Sequence, residues 1–194
     1  MKKYIVKVFF VLLAIMSSPS FAGLINVSKI VVSPSTLNTS GWLQISEVIA
    51  LETVTGNDLA LSSVGAVATG SSDWPTSSAN YAIDGIGPSS FNQIFHSNEN
   101  DGNSFLNILL ASPSELDSII LFGRTGCCSL RDIYDIALFN SNGTLLFQAN
   151  NLDATGSTHS VSINLPTSVP EPASLALMGL GLVGLCFSRK KKMA

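Results

Sequence analysis

The chain has 194 residues, with ten Lys and Arg against thirteen Asp and Glu, and its net charge of −3 conceals a sharp partition. Seven of the cations lie near the two ends, so the middle holds only Lys29, Arg124 and Arg131 against twelve acids between Glu47 and Asp153, a balance of about −9. Nucleic acid and anionic lipid surfaces are bound through clustered cations, so this composition argues against both as partners.

In chain order, Lys2, Lys3 and Lys7 come first. An apolar stretch from Val8 to Met16 and the small-residue site Ser20-Phe21-Ala22 follow. This is the pattern of a secretory signal helix over residues 1–22, with signal peptidase cutting after Ala22. Residues 23–168 then supply one domain's length of chain. Ser33 to Thr39 joins an N-terminal strand to the core. Apolar and polar residues alternate from Trp42 to Ile49, Phe105 to Leu110, Ser118 to Phe122, Tyr134 to Phe139 and Ser160 to Leu165, with no helical stripe in competition. Turn signals separate the runs, and Asn140-Ser141-Asn142-Gly143 closes a hairpin between residues 137–139 and 145–147. The Ser-rich stretch 69–78 reads as a loop. The expected class is all-β, an antiparallel β-sandwich.

The tail, residues 169–194, has three parts. Val169-Pro170-Glu171-Pro172 breaks any regular element, Ala173 to Phe187 is apolar, and Arg189 to Lys192 forms a basic terminus. The apolar run has 15 residues, short of the roughly 20 of a stable spanning helix, and contains Gly179, Gly181 and Gly184. A short transmembrane helix of temporary residence is expected. The tail resembles the PEP-CTERM sorting signal. That resemblance implies Pro170-Glu171-Pro172 as the site read by an exosortase and Sec-dependent export. It also implies a passing anchorage in the inner membrane, then a place at the cell surface or in the extracellular matrix of a Gram-negative bacterium.

Within the middle, Arg124-Thr125-Gly126-Cys127-Cys128-Ser129-Leu130-Arg131 places two adjacent cysteines between two arginines seven residues apart. In an oxidising compartment the vicinal thiols Cys127 and Cys128 can close a tight disulfide ring, a stiff apolar platform flanked by forked guanidinium donors. The competing reading has Arg124 and Arg131 paired with Asp132 and Asp135, and the cysteines as small buried hydrophobes.

The order Ala79-Asn80-Tyr81-Ala82-Ile83-Asp84-Gly85, Phe95-His96-Ser97, Phe105 to Ile108 and Gly123 to Arg131 resembles a discoidin-type, galactose-binding-like domain, and most of all the fucolectins. The resemblance implies a jelly-roll sandwich and a sugar held by Arg124, Arg131 and an upstream histidine, with the Cys127–Cys128 disulfide against the ring. His96, 28 residues before Arg124, stands near the family spacing, although its Phe-His-Ser context also matches a structural Phe-His-Thr of that fold. The family's motif Asp is Gly126 here, so the group that would orient the arginines is missing. The resemblance also implies a structural calcium at the Asp84-Gly85 turn, built from Asp84, Glu47, Tyr81, Ile86 and Ser97. Glu47 enters that set because the strand carrying it precedes the rest, as in a circularly permuted domain. The alternative for that turn is a simple Asx-turn at Asp84 with Glu47 solvated.

The chain has two histidines, no Gly-x-Ser-x-Gly elbow, no His-Glu-x-x-His and no Gly-rich loop opening a helix, so no enzyme is expected. The leading expectation is an exported, non-catalytic carbohydrate-binding protein whose partner is extracellular polysaccharide. A structural or adhesive matrix protein that binds no sugar is the alternative.

Overall fold

A computed structural model describes residues 24–98 and 101–166, which belong to one compact unit spanning residues 22–168. Nine strands form it: β1 (Leu24–Pro34), β2 (Gln44–Ile45), β3 (Glu47–Glu52), β4 (Val67–Gly70), β5 (Phe95–His96), β6 (Leu106–Phe122), β7 (Ile133–Phe139), β8 (Leu145–Asp153) and β9 (Ser160–Asn164). Every strand pairing is antiparallel. Three 3-10 turns, at 62–64, 79–83 and 129–131, are the helical elements among the described residues. The signal segment, Pro170-Glu171-Pro172 and the apolar tail lie outside them.

The architecture turns on β6. Its first part, residues 106–109, hydrogen-bonds to β1 on one side and β4 on the other; its last part, residues 116–122, hydrogen-bonds to β3 and β9. One 17-residue strand therefore belongs to two layers, β4-β6-β1-β7-β8 and β3-β6-β9. The sequence pattern suggested two separate strands because Ala111, Ser112 and Pro113 are exposed and carry no core periodicity. The extended backbone carries on through them, although residues 110–113 have no register partner among the described strands, and the buried set changes from Leu106, Ile108, Leu110, Leu116 and Ser118 to Ile119 and Leu121. Side chains alternate faces with period two, so the change from even to odd positions at Ser118 and Ile119 swaps the face that looks inward within the part paired to β3 and β9. β1 follows the bend through register shifts on either side of Val27, and this lets Val27 and Ile30 both point inward.

Between the layers lies one apolar core, with Ile30 and Val32 of β1, Ile108 of β6 and Ile136 and Leu138 of β7 meeting Val48 and Ala50 of β3, Ile119 and Leu121 of β6 and Ile163 of β9. This is the arrangement of an antiparallel β-sandwich. The expected hairpin is present: Phe139 pairs with Leu145, and the Asn140 side chain accepts from the amides of Asn142 and Thr144 while Gly143 takes φ +77°. The expected strand 42–49 is broken at Ser46. There β2 leaves to pair with β5, and the Ser46 hydroxyl accepts from the Ser89 amide at 2.5 Å. The expected loop 69–78 begins inside β4.

Candidate functional site

The segment 123–132 links β6, in one layer, to β7, in the other. Asp132 anchors it from below. Its carboxylate is wholly buried; Oδ1 accepts from Gln44 Nε2 at 2.9 Å and lies 3.1 Å from the Tyr134 hydroxyl, and Oδ2 faces His159 Nδ1 at 3.8 Å. Burial raises its pKa above the ordinary carboxylate value. Gly123 is required beside it, because a Cβ there would sit 2.4 Å from Asp132 Cγ.

Above this anchor the chain makes its cysteine turn. Gly126 takes φ +83° and Cys128 φ +65°, the 3-10 turn at 129–131 follows, and Cys127 and Cys128 are bonded to each other. Gln44 Nε2 also donates to the Cys128 carbonyl at 3.0 Å. Asn38 Nδ2 donates to the carbonyls of Arg131 and Trp42 at 2.9 and 2.8 Å, holding those two residues side by side. The side-chain amides of Gln44 and Asn38 and the buried Asp132 hold the turn in place.

The side chains converge on an open cleft of about 340 Å³, lined by Arg124, Cys128 and Arg131 from this segment and by Trp42, Trp74, Phe91 and His96. The Arg131 guanidinium stands over the Trp42 ring, 4.1 Å from its centroid, and that of Arg124 over Phe91 at 5.1 Å. Neither arginine forms an ion pair with a carboxylate among the described residues, contrary to the competing reading. Asp132 points down into the core, and Asp135 accepts from the Asn151 amide instead. Burial and the neighbouring Arg124 charge lower the Arg131 pKa from its usual value.

His96 is 3% exposed and ringed edge-on by Trp42, Trp74 and Phe91, with centroids 5.5, 5.8 and 6.1 Å away. Its Nδ1 lies 2.7 Å from the Ser97 carbonyl, which can only accept, so this nitrogen carries the proton and Nε2 is the acceptor. Burial, ahead of the repulsion from Arg131 and Arg124, holds the ring's pKa below its usual value and keeps it neutral. Cys127 is exposed beside the cleft. Of the expected sugar contacts, Arg124, Arg131, Cys128 and His96 thus line one cavity. Trp42, Trp74 and Phe91 were missed as site residues, though the chain's only two tryptophans were a signal that could have drawn attention to them.

The expected calcium set is only partly assembled. Glu47, 2% exposed, accepts from the Gly85 amide at 3.2 Å, beside the exposed Asp84. Burial, then the Asp84 charge, push the Glu47 pKa up to about 8, and its Oε1 is buried without a hydrogen-bond partner. Asp84 itself closes the Asx-turn, accepting from the Ile86 amide at 2.8 Å. Tyr81 lies in the 3-10 turn just before. Ser97 does not join them: its hydroxyl accepts from the Leu43 amide and meets that of Ser104. Among the described residues no three His, Cys, Asp or Glu side chains gather as a metal cluster.

Comparison with known proteins bears on the end of the chain. Residues 168–190 match the PEP-CTERM protein-sorting motif. The motif supports an exported protein that passes through a membrane-anchored stage and is processed by an exosortase. No curated protein and no solved structure matches the chain. Among the described residues no helix is long and apolar enough to cross a membrane.

Proposed function

We propose that the exported protein is a non-catalytic carbohydrate-binding module whose cleft grips one sugar unit of an extracellular polysaccharide. In this reading residues 1–22 are the removed signal helix and 23–168 a galactose-binding-like jelly roll in circularly permuted order. Residues 169–194 are the tail that anchors briefly in the inner membrane before the protein reaches the surface or matrix. The observation that carries the reading is the pair of guanidiniums, unpaired with carboxylates, that share one cleft with a neutral histidine acceptor and three aromatic rings. Forked donors suit neighbouring sugar hydroxyls, Nε2 of His96 accepts from another, and Cys128 with the indoles offers apolar surface to the ring.

The expected affinity is modest. A few such contacts at about 1–2 kcal/mol each, less the cost of association, leave millimolar binding, about 4 kcal/mol net. Many copies displayed in a matrix convert this to firm retention through effective concentration. A glycan array of the full chain in detergent, repeated with Arg124→Ala and Arg131→Ala, is expected to lose about tenfold or more of the signal in each variant. An empty array, or one that neither substitution alters, rejects the reading.

Glu47 and Asp84 also fit a structural calcium ion. A buried carboxylate oxygen without a partner, next to a second carboxylate, is a donor set for a hard cation. Bound there, calcium would neutralise the pair, and Glu47 and Asp84 are the residues that would hold it.

A further inference from the structure

A second groove, of about 360 Å³, adjoins the arginine cleft and shares Trp74 with it as a wall. It is built by the tight turn from Trp74 to Ser77, where the Ser77 amide donates to the Trp74 carbonyl at 2.9 Å and Thr76 takes φ +82°, and by the 3-10 turn at 79–83 that carries Tyr81. Ser77 lines this groove, is 1% exposed, and has a buried hydroxyl with no hydrogen-bond partner. A buried hydroxyl left unpaired costs stability, so a turn of the short Ser77 side chain that brings it to a ligand hydroxyl in the groove would be favoured. Around it stand an indole and a phenol ring for stacking, and the exposed carboxylate of Asp73, an acceptor for paired hydroxyls.

We propose that this groove is a second sugar subsite and that the protein binds at least two consecutive units of a polysaccharide, laid across Trp74. The inference rests on the reading of the arginine cleft as a sugar site and extends it from a single unit to a chain. Charge sets the second unit's character. Asp73 repels an anionic group, whereas Arg124 and Arg131 attract one, so the second groove takes a neutral unit and an acidic sugar is admitted only in the first.

The test is calorimetric titration of the full chain in detergent. The probes are L-fucose, D-galactose and L-rhamnose, and two- and three-unit oligosaccharides bearing each at one end. At least one oligosaccharide is expected to bind about tenfold tighter than its own terminal monosaccharide. Asp73→Ala and Tyr81→Ala each erase that gain and leave the monosaccharide affinity in place; Ser77→Ala erases part of it. Asp73 is exposed, so its loss leaves the fold intact. Oligosaccharides that bind no tighter than monosaccharides, or a gain that survives both Asp73→Ala and Tyr81→Ala, overturn the second subsite while the first stands. Failure of every probe to bind overturns the arginine cleft and the second subsite together.

Discussion

The arginine cleft and the Glu47–Asp84 corner present the same electrostatic problem with opposite signs. Each gathers two like charges with no salt bridge to an opposite charge among the described residues. In the cleft the guanidiniums are only partly buried and lie over the faces of Trp42 and Phe91, whose quadrupoles favour a cation. In the corner Glu47 is buried to 2% exposure, and the cheaper solution is to keep its proton up to about pH 8. One region keeps its charge within reach of solvent, and the other suppresses it by holding a proton.

The largest effect expected on this comparison comes from beneath the cleft. Asp132→Ala removes the anchor shared by Gln44 and Tyr134 and opens a hole under Gly123. It should cost about 3 kcal/mol of stability in urea denaturation and release the cysteine turn. A loss below about 0.5 kcal/mol would mean that the turn is held by Asn38 and Gln44 alone.

The corner is broken by pH. The Glu47 pKa is raised on folding, from 4.5 to about 8, so its contribution to stability is fully present below about pH 4.5 and is lost as pH climbs through 8. With EDTA present, the melting temperature should fall over that interval, and Glu47→Gln should flatten the fall. Calcium, by neutralising the ionised pair, should restore the melting temperature of the natural protein near pH 8 and leave that of Glu47→Gln unchanged. An equal response of both proteins would remove the ion from this corner.

The smallest effect belongs to His96. Its pKa is depressed in the folded state, so the stability it contributes is present above about pH 6.5 and disappears only as pH falls through that lower value. Glycan binding that depends on a neutral ring should therefore hold steady through pH 6.5 and weaken only below it, as read by titration at stepped pH. A midpoint at 6.5 or above would show a ring that is not desolvated.

Much of the fold was legible because period-two alternation survives wherever a strand has one wet face, as in β7 and β9. It failed where the run of the backbone and the patterning part company. Residues 111–115 carry no core residue, yet they join two apparent strands into β6, and Ser46 interrupts an unbroken alternation because its hydroxyl is drawn to the 89 amide. At the site, the Cys-Cys turn between arginines was visible as a local spacing. Trp42, Trp74 and Phe91 come from three separate stretches of chain, and no spacing links residues that only the tertiary fold brings together. Asp132 was legible as an acid near the arginines, but its inward direction follows from the missing side chain at Gly123, a steric relation across nine residues.

Because β6 donates one end to each layer, neither layer can come apart while the other survives. Loosening at the β3 and β9 end travels along the same backbone to the β1 and β4 end. Melting should accordingly be a single event, with amides at both ends of β6 exchanging with solvent through one common opening rather than two. For an exported protein, beyond the reach of cytoplasmic chaperones, this leaves few half-open states for a protease to seize.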